Sequence, residues 1–105
     1  MHVTLITLVH NVKKEASKAG VDIISKFTVD KKSIVLSNEA SGKVVLVGVV
    51  EVSGSLVTAA YAVNIEEWYK AEAKGYTREQ IMDQASLASK IFTEVKIDNI
   101  LKSLI

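Results

Sequence analysis

The stretch that follows Lys43 constrains this chain more than any other part of it. Residues 44–65 read VVLVGVVEVSGSLVTAAYAVNI and carry one charge, Glu51. That length fits either one bilayer-crossing helix or two strands folded back at Ser53-Gly54. Composition decides for the strands. The run is led by valine, whose branched Cβ suits a pleated strand, and Gly48, Ser53, Gly54 and Ser55 weaken a helix. Glu51 would cost about 2.5–3.5 kcal/mol near a bilayer centre. Lys43 precedes the run while Glu66 and Glu67 follow it, so its flanks lack a positive-inside bias. A buried β-hairpin is expected, and no membrane span.

Two registers are open for it. A two-residue loop at Ser53-Gly54 pairs Val52 with Ser55 and puts Val44, Leu46, Gly48, Val50 and Val52 on one face with Val57, Ala59, Tyr61 and Val63. A three-residue loop with a bulge at Gly54 exchanges the faces of the second strand. Either register leaves apolar side chains on both sides of the sheet. Helices must cover one side, and further helix or a second subunit the other.

Elsewhere the periodicity changes with position. Leu5, Leu8, Val9, Val12, Ala16 and Ala19 recur at helical spacing and Gly20 follows as a stop, predicting a helix over 4–19; an N-terminal strand over 3–9 is the rival. From Gly20 the period becomes two, with Val21, Ile23, Phe27 and Val29 opposite Asp22, Lys26, Thr28 and Asp30. A turn at 30–33 leads to a short strand over 34–37, and 38–42 is a loop. Asn64 is placed to cap a helix with Glu67 as its third residue and Val63 stapled to Trp68. Thr77 repeats the arrangement with Gln80, Tyr76 and Ile81, after Gly75. This last helix should run to about Phe92, with a short one beginning near Asp98. The expected fold is therefore a single α+β domain of one N-terminal helix, a four-stranded, mainly antiparallel sheet around the Val-rich hairpin, and two or three C-terminal helices.

With 105 residues, 49% of them apolar, and a mean hydropathy of +0.25, the domain is small enough that self-association would help bury surface. A formal net charge of +1 gives no strong field for polyanions. The absence of cysteine removes disulfide and thiolate-metal chemistry and points, with the lack of a signal-peptide pattern, to a cytoplasmic protein.

No residue set advertises catalysis. Glu51, set among valines, has the character of a general acid or base if it is buried and of a solvated turn residue if it is not. His2 and His10 are eight residues apart, outside the spacing of a helical metal pair, so neither a metal site nor a cofactor is expected. Ser41-Gly42-Lys43 resembles the end of a phosphate-binding loop, but Ser37 stands at the first glycine and Val44 at the magnesium-binding hydroxyl. The leading expectation is a non-catalytic, self-associating module, a homodimer meeting through Val45, Val47 and Val49 of the hairpin and through Trp68 and Tyr69. A second expectation is nucleic-acid association. Residues 1–50 hold seven lysines against four acids, and Lys13, Lys14, Lys18, Lys31, Lys32 and Lys43 would form the patch. A third is a small enzyme or ligand binder with a pocket near Glu51, Tyr61 and Trp68.

Overall fold

The computed structural model describes residues 3–28 and 31–105. Five strands form one antiparallel meander in the order β1-β2-β3-β4-β5: β1 is Ile24–Phe27, β2 Ser33–Asn38, β3 Lys43–Val52, β4 Ser55–Val63 and β5 Phe92–Val95. Helix α1, Val3–Lys18, precedes the sheet. Helices α2 (Ile65–Ala73), α3 (Arg78–Asp83) and α4 (Ala85–Ile91) lie between β4 and β5, and a 3-10 turn over Ile97–Asn99 leads into α5, Ile100–Leu104. The α+β class holds, as does the helical reading of the first segment over its strand rival. His2, Val29 and Asp30 lie outside the described residues.

The two-residue loop is the register found: Val52 pairs with Ser55, Leu46 with Tyr61 and Val44 with Val63. Ser53 and Gly54 both take positive φ, 50° and 80°. Two successive left-handed residues make a type I′ turn, whose twist matches that of the strands it joins.

Both faces of the inner sheet are covered by the chain itself. Leu5, Val9, Val12 and Ala16 of α1, with Ile100 and Leu104 of α5, pack on Ile34, Leu36, Val45, Val47 and Ala60. On the opposite face Ala71, Ile81 and Ile91 from α2, α3 and α4 join Phe92 over Leu46, with Tyr61, Val63 and Trp68 partly buried around them. Of the two coverings open for the hairpin's second apolar face, further helix or a second subunit, the chain supplies helix over its inner part.

Two differences from the sequence reading lie in the C-terminal third. The helix expected over 78–92 is interrupted at Gln84, which ends α3 and begins α4 with extended backbone angles (φ −103°, ψ 103°). Its last residue, Phe92, starts a fifth strand that pairs with β4 from Val63↔Phe92 to Ala60↔Val95. The caps are as predicted. Asn64 Oδ1 accepts from the Glu67 N–H at 3.2 Å, while Thr77 and Gln80 form a reciprocal capping box at 3.2 and 2.8 Å.

Helix α5 is held by polar contacts at its C-terminal end, where helical carbonyls lack partners. The buried Asn38 donates from Nδ2 to the Leu104 carbonyl at 2.8 Å and accepts the Ala40 N–H at 3.1 Å. The Ser41 hydroxyl donates to the same carbonyl at 2.6 Å, and Lys43 Nζ reaches the Ile105 carbonyl at 2.8 Å. The Ser41-Gly42-Lys43 sequence thus anchors α5. Replacing Asn38 by Leu is expected to destabilise the fold by about 1–3 kcal/mol, because the Ala40 N–H loses its acceptor and the Leu104 carbonyl one of two donors. Urea denaturation of the variant measures this, and an unchanged midpoint would show that the anchor is dispensable.

Candidate interaction surface

Where β2 and β5 end, the hairpin continues. β2 pairs with β3 only as far as Gly48, and β5 pairs with β4 only from Ala60. Residues 49–59 therefore stand out as a two-stranded ribbon, roughly 13 Å beyond Gly48 at the strand rise of 3.3 Å per residue. Its outer part carries apolar side chains open to solvent: Leu56 is 66% exposed, Val52 53% and Val57 44%. Val50 and Val57 sit opposite each other on the face that α2–α4 cover further in, and Glu51 and Leu56 on the α1 face. Glu51 is the ribbon's single charge and is exposed, as expected for a residue beside a turn.

The predicted interface residues separate accordingly. Val45 and Val47 have no exposed surface and are sealed beneath α1 and α5, so they are core residues and not contact residues. The α1 and α5 stripes find their complement in those valines, which is why no area is left there for a partner. Val49 lies at the root of the ribbon and is half-buried. Trp68 is partly buried, its ring 5.4 Å from that of Phe92 in an edge-to-face arrangement, and Tyr69 beside it is 63% exposed. These two side chains, with Val35, Val44 and Leu46, border an apolar groove of about 190 Å³ between α2 and the sheet.

The pocket imagined around Glu51, Tyr61 and Trp68 does not assemble. Tyr61 and Trp68 both contact Phe92, but Tyr61 pairs with Leu46, five residues along β3 from Glu51. At the strand rise that is roughly 17 Å. Among the described residues no three His, Asp or Glu side chains converge as metal ligands.

The lysines likewise fall into separate groups. Lys13, Lys14 and Lys18 are exposed along α1, where Lys18 meets Glu15 at 3.6 Å. Lys31 and Lys32 occupy the β1–β2 connection, at the end of β2 that pairs with Gly48. Lys43 stands at the opposite end, where Asn38 pairs with it, and is engaged with Ile105.

A further groove, of about 230 Å³, was not anticipated from the sequence. It runs between α1 and the outer edge of β1, with Val9 and Ile34 as its floor, Ile6 and Phe27 as exposed apolar walls, and Lys13 and Lys26 on its rim. Lys13 Nζ donates to Ser25 Oγ at 3.2 Å. The strand pattern had assigned Phe27 to a covered face with Val21 and Ile23. Because β1 is the sheet's edge, Phe27 is instead 52% exposed.

No protein family, curated protein or solved structure matches the chain. Among the described residues no helix is long and apolar enough to cross a membrane.

Proposed function

We propose that the protein is a non-catalytic, self-associating interaction module whose contact surface is the outer part of the β3–β4 hairpin. The observation that supports this is the ribbon over 49–59, an extension with exposed Val52, Leu56 and Val57, one charge, and neither lysine nor proline on its unpaired edges. Edges of sheets are ordinarily guarded by such residues, and a two-stranded hairpin is stable only marginally by itself. A second copy that meets the ribbon buries what α1, α5 and α2–α4 leave bare.

The magnitude favours exchange over a permanent dimer. Full burial of a Val or Leu side chain gives about 1.5–3 kcal/mol, and three half-exposed side chains on each of two copies recover part of that. Lost rotational and translational freedom opposes association by about 4–15 kcal/mol. A weak equilibrium, visible by dilution, is the expected behaviour.

Light scattering from low micromolar to near-millimolar concentration tests it. The apparent mass should rise above the 11.4 kDa of one chain as concentration increases. Leu56→Lys should hold it at one chain at every concentration. The change places a cation opposite Glu51, so the protomer's hairpin keeps a favourable cross-strand pair and stays folded. A mass of one chain for the unaltered protein throughout would refute the proposal. So would unchanged association in the variant.

A further inference from the structure

We propose that the groove between α1 and the outer edge of β1 binds an extended, acidic peptide segment, which joins the sheet as a sixth strand beside β1. The hydrogen-bond pattern of the edge supports this first. The Thr28 N–H donates to the Ser33 carbonyl at 3.0 Å, continuing the register in which Ile24 pairs with Ser37 and Lys26 with Val35. In an antiparallel ladder the residues that bond to a neighbour alternate with those that face away. Ile24 and Lys26 therefore bond to β2, and the N–H and C=O groups of Ser25 and Phe27 point outward along the free edge. An incoming extended backbone supplies the acceptors and donors these groups lack.

Shape and charge select the kind of strand. A peptide beside β1 sends alternate side chains into the groove, where Ile6, Phe27 and the floor of Val9 offer apolar contact. Among the described residues the groove is lined by Lys13 and Lys26 and by no acidic residue. Lys26 leaves β1 on the face opposite Phe27, so Lys13 is the cation facing the groove from α1. The neighbouring Lys14 extends its sign, while Lys18 is paired with Glu15. Apolar residues alternating with carboxylates complement both features. A nucleic acid fits less well: its phosphates match the lysines, and Phe27 and His10 offer rings for stacking, but it leaves the outward N–H and C=O groups of β1 unpaired.

The test uses the full chain and a fluorescein-labelled peptide of alternating glutamate and valine, followed by fluorescence polarisation and by amide hydrogen exchange. Saturable binding is expected, weakening with added salt, and the analogous lysine-valine peptide should bind at least about tenfold more weakly. Lys13→Glu, a change at an exposed site, should reduce affinity by about tenfold. Ser25→Pro removes an outward N–H and spares the bonds that Ile24 and Lys26 make to β2, so it should reduce binding with the fold retained. The Ser25 and Phe27 amides should exchange more slowly when peptide is present. Leu56→Lys should bind peptide as the unaltered chain does, because the groove and the ribbon are separate. Equal binding of the two peptides, or unprotected Ser25 and Phe27 amides, would overturn the proposal. So would binding of a single-stranded oligonucleotide without binding of peptide. Loss of self-association in Ser25→Pro would assign the edge to a second copy and overturn it as well.

Discussion

Val47→Asp should leave the chain unfolded, whereas Leu56→Lys, on the same hairpin, leaves it folded. Val47 has no exposed surface, is paired with Ile34 on one side and Ala60 on the other, and belongs to the core sealed by α1 and α5. A carboxylate there loses its water and gains no counter-charge, a loss of several kcal/mol together with the valine's own burial. Domains of this size are stable by about 5–15 kcal/mol in total, so that loss removes most or all of the margin. Far-ultraviolet circular dichroism should show the helical signal gone or a melting transition below ambient temperature. The comparison separates a core residue from an interface residue: at an interface, aspartate would give a folded single chain. Native melting of Val47→Asp would show that α1 and α5 do not seal this face.

The contrast between these two positions shows where the sequence was informative. Composition and the Ser53-Gly54 pair specified a hairpin but left both loop lengths open, and the pairing of Val52 with Ser55 decides for the shorter. Burial along the hairpin was not legible, because valine recurs from Val44 to Val52 irrespective of what lies above it. Val47 is under two helices and Val52 is under none, a difference set by where β2 and β5 stop. Those endpoints depend on long-range pairing. The fifth strand was hidden for a related reason. Ala85, Ala88 and Phe92 continue a helical period into Phe92-Thr93-Glu94-Val95, a four-residue segment too short to display its own alternation. Its position beside β4 is a tertiary preference that overrides local propensity. By contrast, the Asn64 and Thr77 caps were readable because capping is a contact between residues three apart. Grooves built from distant segments were the least legible. Ile6 and Phe27 are adjacent only after α1 lies along β1, and nothing local marks either.

Phe92→Ala should lower stability by about 3–5 kcal/mol, the range for emptying a buried aromatic site. Phe92 is the first residue of β5 and the last contact of α4, its N–H bonding to the Ala88 carbonyl. Its ring sits between two others, 5.4 Å from Trp68 at an interplanar angle of 85° and 6.1 Å from Tyr61 at 66°. Both are edge-to-face geometries, and such pairs add about 0.5–1.5 kcal/mol beyond burial. Truncation therefore removes the shared partner of the α2 and β4 aromatics at the point where the second helical layer rejoins the sheet. The melting temperature should fall by at least about 12 °C for a domain of this length. Phe92→Leu keeps most of the apolar volume and loses the ring contacts, so a decrease of about 1–2 kcal/mol is expected, separating cavity formation from aromatic geometry. Trp68 is the chain's sole tryptophan and reports on the site directly. Its emission should shift to longer wavelength in Phe92→Ala, at temperatures where circular dichroism still shows a folded chain, because water reaches the indole through the vacated space. An unmoved emission maximum in a folded Phe92→Ala would mean that Trp68 is shielded by α2 and the sheet without help from Phe92.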